Sequence, residues 1–140
     1  MLPSDTALSP SAADIHITPD GRFLYGSERA THRIIGFAVD HASGGLTWLG
    51  SFPSEPSPRG FNVSPCGRFL LVAGQISNRI SVYLIDATDG HLTKVAEQDA
   101  GLNPNWIEVV SLPPALATSG WPHQPPRSRP RQADRERTGR

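Results

Sequence analysis

Arg29 and Arg59 carry the side chain best suited to gripping a phosphate, a planar guanidinium fork that donates two parallel hydrogen bonds to its oxygens. Arg29 follows Glu28 in a polar run ending at His32, and Arg59 sits in Pro58-Arg59-Gly60-Phe61. Each can equally be a solvated loop arginine or one half of an ion pair between neighbouring units. His16, flanked by Ile15 and Ile17, is a candidate general base, because an imidazole exchanges protons near neutral pH. The plainer reading is a histidine hydrogen-bonded in place. Asp14 and Glu28 could bind or activate water, or cap turns. Gln75 could donate to a sugar hydroxyl or to the loop beside it. Cys66 stands alone and His16, His32, His41, His91 and His123 lack ligand spacing, so no metal is expected. Phosphate-binding and dinucleotide loops and the nucleophile elbow are missing too.

The elements that must position these residues repeat. A period of 46 residues runs without a gap, aligning Ile17-Thr18-Pro19-Asp20-Gly21-Arg22-Phe23-Leu24 with Val63-Ser64-Pro65-Cys66-Gly67-Arg68-Phe69-Leu70 and His32-Arg33-Ile34 with Asn78-Arg79-Ile80. The register continues through Gly44 and Gly90 to Pro58 and Pro104, and a third unit starts there and is lost after Val110. Each unit holds four short β-branched and aromatic runs between turn residues. Strands are predicted near 14–18, 22–27, 33–39 and 46–51, then 60–64, 68–73, 79–85 and 92–98. Four strands per unit at this spacing is the blade of a propeller. The expected fold is therefore all-β, a partial β-propeller of two four-stranded antiparallel blades plus the first strand of a third; two sheets packed as a small sandwich are the alternative.

In a propeller the innermost strand starts on one rim, which gathers Ser11 to Asp14, Glu28 to His32, Ser57 to Gly60, Gln75 to Asn78 and Asn103 to Asn105 on that rim and sends both Pro-x-Gly turns to the other. His16 is then expected on a strand lining the central channel, and Trp48 and Trp106 between blades, with a channel position the alternative for Trp106. Cys66, where the first repeat has Asp20, is read as incidental. Two blades leave apolar faces and strand edges open, so self-association through the open blade edges is expected.

Composition divides the chain. Residues 1–112 hold seven Lys and Arg against eleven acidic residues, whereas residues 113–140 hold six Arg against Asp134 and Glu136 and contain six prolines. The division is a 1–10 extension, a propeller region over 11–110 with repeats about 14–59 and 60–105, and a tail over 111–140 that is expected to be disordered and foreign to the propeller. Without aromatic interleaving the tail arginines do not argue for nucleic acid. No apolar run approaches the roughly 20 residues that span a bilayer. The N-terminus lacks the basic start and apolar stretch of a leader, so a soluble, cytoplasmic protein without membrane partners is expected.

Ala12-Ala13-Asp14-Ile15-His16-Ile17-Thr18-Pro19-Asp20-Gly21-Arg22, Pro58-Arg59-Gly60-Phe61-Asn62-Val63, Ala73-Gly74-Gln75 and Ile80-Ser81-Val82-Tyr83 resemble the C-terminal part of the bacterial cycloisomerase-type 6-phosphogluconolactonases, over residues 11–110. Asn103-Pro104-Asn105-Trp106-Ile107 stands where that family ends in Gly-Pro-x-Trp. The resemblance implies a seven-bladed propeller that hydrolyses a phosphorylated sugar lactone, 6-phospho-D-glucono-1,5-lactone, to 6-phosphogluconate in the pentose phosphate pathway without a cofactor. It implies that Arg29 and Arg59 meet the ligand, with Gln75 and His16 supporting. The family's further histidine and glutamate candidates lie in earlier blades. The expectation is thus a lactone hydrolase represented by a truncated copy that is inactive alone; the alternative is a noncatalytic propeller remnant that at most binds or assembles.

Overall fold

The computed structural model describes residues 9–113. Eight strands form two sheets. The first contains β1 (Ala12–Ile17), β2 (Phe23–Glu28), β3 (Arg33–Val39) and β4 (Leu46–Pro53); the second contains β5 (Pro58–Val63), β6 (Phe69–Gly74), β7 (Arg79–Ile85) and β8 (Leu92–Asp99). Each sheet is an antiparallel meander in chain order. The predicted repeat is therefore the structural repeat. Residues 1–8 and the tail from 114 onward, where disorder was expected, lie outside the described residues.

The β1–β2 and β5–β6 connections are built alike. Thr18 and Ser64 open them, Pro19 and Pro65 set φ at the next position, and Gly21 and Gly67 take φ of 73° and 70°, a region closed to most side chains. The N–H of each glycine donates to the carbonyl of Thr18 or Ser64 at 2.8 Å. The hydroxyls of Thr18 and Ser64 accept from the N–H of Phe23 and Phe69. Both turns lie on one rim, since a Cβ on Gly67 would stand 3.5 Å from Pro19 Cδ.

Strand bounds depart from the prediction where bulges interrupt alternation. Ala13 and Asp14 together face one residue of β2, and Arg59 and Gly60 one residue of β6. Pairing resumes beyond each bulge, so β1 starts at Ala12 and β5 at Pro58, two residues earlier than the apolar pattern suggests. The predicted strand after Pro104 has no sheet partner among the described residues. That segment instead runs beside β5, where Asn62 Nδ2 donates to Ile107 O at 3.2 Å.

The core lies between the sheets, which approach most closely at β1 and β5. Phe23, Tyr25, Ile34 and Phe52 of the first sheet meet Phe61, Val63, Leu70, Val72, Tyr83, Ile85 and Leu92 of the second. Burying each such side chain contributes about 1.5–3 kcal/mol. Tyr25 also donates its hydroxyl to Gly90 O, 2.7 Å away. Neither Trp48 nor Trp106 joins this core. Trp48 packs edge-on against Phe37, on the face of the first sheet turned away from the second, and Trp106 is 74% exposed. The repeat places both at positions that only a further blade would cover.

Candidate functional site

The rim opposite the Pro-x-Gly turns is tied together by backbone. The β2–β3 loop meets the start of β1 through Arg29 N–H donating to Ser11 O (2.9 Å), and the β6–β7 loop meets the approach to β5 through Gln75 N–H donating to Ser57 O (3.1 Å). His32 links the two units. Its carbonyl accepts from Ser54 N–H and its Nδ1 from Ser57 N–H at 3.0 Å. Asn78, one repeat on, does the same work, its carbonyl accepting from Ala100 N–H and its Oδ1 from Asn103 N–H at 2.7 Å. His32, Ser57, Asn78 and Asn103 all have φ near +55° to +59°. The loops that carry Arg29, Arg59 and Gln75 are therefore fastened to one another on the expected rim.

Glu28 is the cap of its loop. Its carboxylate accepts from Ser11 N–H (2.6 Å), Thr31 N–H (2.6 Å) and Ala30 N–H (3.2 Å), as well as from the Thr31 hydroxyl. Burial works against its charge, but the Thr31 hydroxyl and the three backbone donors outweigh that and hold it below the ordinary glutamate value. The capping role is the one the structure gives it.

His16 sits in the seam between the sheets rather than facing an open channel. Its ring meets Phe61 edge-on at 4.9 Å, because alternation along β1 turns Asp14, His16 and Thr18 toward the second sheet and Ile15 and Ile17 away from it. Nε2 stands 3.3 Å from Asp14 Oδ2. A carboxylate only accepts, so Nε2 is the donor at this contact. The same Asp14 oxygen accepts Phe61 N–H at 3.2 Å.

Ser27, which carries no signal in the sequence, joins Asp14 to Arg59. It is 2% exposed. Its hydroxyl accepts Asp14 N–H at 3.0 Å and donates to Arg59 O at 3.3 Å. The backbone of Arg59 is thereby fixed within the bulge while its side chain projects to solvent. Bulges re-aim side chains in this way beside many sites. Arg29 is half-buried, with an enclosed Nε that has no hydrogen-bond partner among the described residues. No hydrogen bond among the described residues joins the side chains of Arg29, Arg59 and Gln75.

Glu55 is a second buried carboxylate that composition alone hides, lying in the proline-rich link between the sheets. It is 5% exposed and accepts from the Ser81 hydroxyl and from Lys94 Nζ at 3.2 Å. It packs over Gly74, the repeat equivalent of Glu28, so the second unit receives its loop carboxylate from a different place in the chain. Burial opposes its ionisation, and hydrogen bonds from Ser81, Ser77 and Lys94 carry it below the ordinary value. Among the described residues no group of three or more His, Cys, Asp or Glu is gathered to hold a metal ion, and no helix is long and apolar enough to cross a membrane.

Two four-stranded meanders that repeat at 46 residues, meet along their inner strands and share a rim of fastened loops are successive blades of a β-propeller. The family profile described as "Lactonase, 7-bladed beta-propeller" matches residues 1–109, and the chain belongs to that family. It is similar to 6-phosphogluconolactonase of Xenorhabdus nematophila, with 42% identity over 111 residues, 79% of this chain and 34% of that one. With the 6-phosphogluconolactonase of Photorhabdus laumondii it shares 47% identity over 58 residues, 41% of this chain and 18% of that one. In three dimensions it resembles the periplasmic gluconolactonase PpgL of Pseudomonas aeruginosa, with a TM-score of 0.75 and 32% identity, over 81% of this chain and 32% of that one. The chain thus spans about a third or less of the length of these relatives.

Proposed function

We propose that these two blades form part of a 6-phosphogluconolactonase and carry its phosphate-binding rim. The observation that carries the reading is the convergence of the Arg29, Arg59 and Gln75 loops on one rim, beside the Asp14–His16 pair; the likeness to the Xenorhabdus enzyme narrows the substrate to a phosphorylated sugar lactone. Arg29 and Arg59 take the phosphate and Gln75 a sugar hydroxyl. His16, oriented by Asp14, accepts at Nδ1 a proton from the water that adds to the lactone carbonyl. The tetrahedral adduct then expels the ring oxygen, which takes up a proton, and the open-chain acid leaves. Groups from other blades complete the site, and the domain limits 11–110 belong to the same proposal.

The test is Arg59→Ala in a protein that carries all its blades. A hydrogen bond to a charged group contributes about 1.5–3 kcal/mol and each 1.36 kcal/mol is tenfold in rate, so kcat/KM for the phosphorylated lactone falls roughly 10- to 200-fold. The unphosphorylated lactone is nearly unaffected. Equal losses on both substrates, on a mutant of unchanged thermal stability, would remove Arg59 from the phosphate.

A further inference from the structure

Ser27 and Asp14 break the repeat beside Arg59. Ser27 stands on β2 opposite the bulge of β1, and its equivalent Ala73 stands on β6 opposite the bulge of β5, which carries Arg59. The equivalent of Asp14 is Gly60. The clamp between a loop and the segment that follows its sheet does recur, since the His32 acceptor for Ser57 N–H returns as the Asn78 acceptor for Asn103 N–H. The hydroxyl and the carboxylate do not return.

Their loss changes the junction. A Cβ on Gly60 would stand 2.5 Å from Asn105 O and 3.2 Å from Trp106 Cα, so the segment after β8 settles directly on the β5 bulge. Asn105 is the repeat equivalent of Arg59. At Arg59 the corresponding carbonyl is held instead by the Ser27 hydroxyl at 3.3 Å, and Phe61 N–H donates to Asp14 Oδ2 at 3.2 Å. The bulge is thus gripped on both sides of Gly60 from the neighbouring blade. Its own sheet offers no such hold, because the residue opposite it is Ala73. A buried serine needs partners for its hydroxyl, and that alone would account for two contacts. Ala73 argues against so plain a role: the same strand position, 0% exposed, packs with a methyl group and no hydroxyl. What differs between the two places is the residue on the adjoining bulge, Arg59 at one and Asn105 at the other.

We infer that Ser27 is a positioning residue for substrate selection: its hydroxyl, with Asp14 beside it, fixes the direction in which the bulge aims Arg59, and so sets the preference for a phosphorylated over an unphosphorylated lactone. The inference rests on Arg59 being the phosphate ligand. A long side chain delivers its charge only as accurately as its backbone is held, and bulges are where strands re-aim a side chain. The Ser27 hydroxyl also accepts Asp14 N–H at 3.0 Å, and Asp14 Oδ2 meets His16 Nε2 at 3.3 Å. The phosphate grip and the proposed proton acceptor are therefore set from one buried point.

Steady-state kinetics with both lactones, on a protein that carries all its blades, tests this with Ser27→Ala, Arg59→Ala and the double variant. Ser27→Ala is expected to lower the ratio of kcat/KM for the phosphorylated over the unphosphorylated lactone about 2- to 13-fold, the effect of one hydrogen bond, chiefly through a higher KM for the phosphorylated substrate. Once Arg59 is alanine, Ser27→Ala lowers the ratio no further, because it acts through that side chain. Thermal unfolding of each variant separates selectivity from fold, since a merely structural serine would lower the melting temperature and weaken both substrates alike. If Arg59→Ala lowers the ratio while Ser27→Ala leaves it unchanged, or lowers it equally with and without Arg59, the inference is overturned and the phosphate assignment of Arg59 stands. If Arg59→Ala itself leaves the ratio unchanged, both fall together.

Discussion

At the scale of single residues, the link between blades rests on an acceptor in a left-handed conformation. His32 supplies it at Nδ1 and Asn78 at Oδ1, and asparagine tolerates that conformation better than most residues. His32→Asn is therefore expected to leave thermal stability within a few tenths of a kcal/mol of the parent, whereas His32→Ala loses about 0.5–1.5 kcal/mol, the contribution of one hydrogen bond. Chemical unfolding of the two variants checks this, and equal losses would show that the imidazole contributes by packing. The buried carboxylates make a separate claim about pH. Glu28 and Glu55 are held below their ordinary values in the folded chain, as are the turn aspartates Asp20, Asp40 and Asp86. The unfolded chain consequently takes up protons first as the solution is acidified. Their contribution is complete above the ordinary carboxylate range of about 4 to 4.5 and is lost as pH falls through and below it. The melting temperature should be flat near neutrality and drop in that acid window, and Glu55→Gln, less stable at neutral pH, should show a shallower drop. Sequence identified Glu28 only as one of two candidate carboxylates and missed Glu55 and Ser27, because burial and cross-strand partners, not residue type, make them matter.

Strands and turns were the more legible scale. Pro-x-Gly devices and the gapless period located eight strands and both rims, because a tight turn with a positive φ leaves few residue choices and a blade repeats its alternation. What period-2 reading cannot see is a bulge, where one extra residue inverts the alternation, and that is why the starts of β1 and β5 were placed late. The β6 terminus gives a test at this scale. A Cβ on Gly74 would stand 2.6 Å from Glu55 Cβ and 2.1 Å from Ser77 Oγ, so Gly74→Ala must push the buried carboxylate aside. The expected loss is about 1–3 kcal/mol, as for other overpacked sites. Gly26→Ala is the comparison, since its Cβ would meet only Asp14 O at 3.7 Å; it should be neutral or gain up to about 1 kcal/mol from reduced backbone freedom. Thermal unfolding of the pair decides, and a Gly74→Ala chain as stable as Gly26→Ala would mean that Glu55 is not held where the hydrogen bonds put it.

For the molecule as a whole, the family was legible but the completeness of the site is a question of geometry between blades. The period predicted a propeller, and the outward faces, Ile17 to Trp48 on one side and Leu71 to Val95 on the other, are those of blades that expect neighbours. On the proposed function a phosphate on the rim would be held by arginines from these two blades, whereas a lactone carbonyl over the central axis would be reached from several blades at once. Correct placement of reacting groups alone can lower a barrier by about 7–11 kcal/mol, and losing even half of that slows a reaction by more than about a hundredfold. The 140-residue chain by itself is therefore expected to hydrolyse the phosphorylated lactone far below the ordinary enzyme range of about 1–1000 per second. It should still hold Arg59 and its bulge through the Ser27 and Asp14 contacts, so a phosphorylated sugar acid should perturb the amide signals of Ser57 and of Arg59, Gly60 and Phe61 at millimolar concentration. Joining these blades to the preceding blades of a full-length relative should restore turnover, and Arg59→Ala in that chimera should abolish the preference for the phosphorylated substrate. Turnover in the ordinary range from the two-blade chain alone would place every essential group within its 140 residues and make the remaining blades a scaffold rather than part of the site.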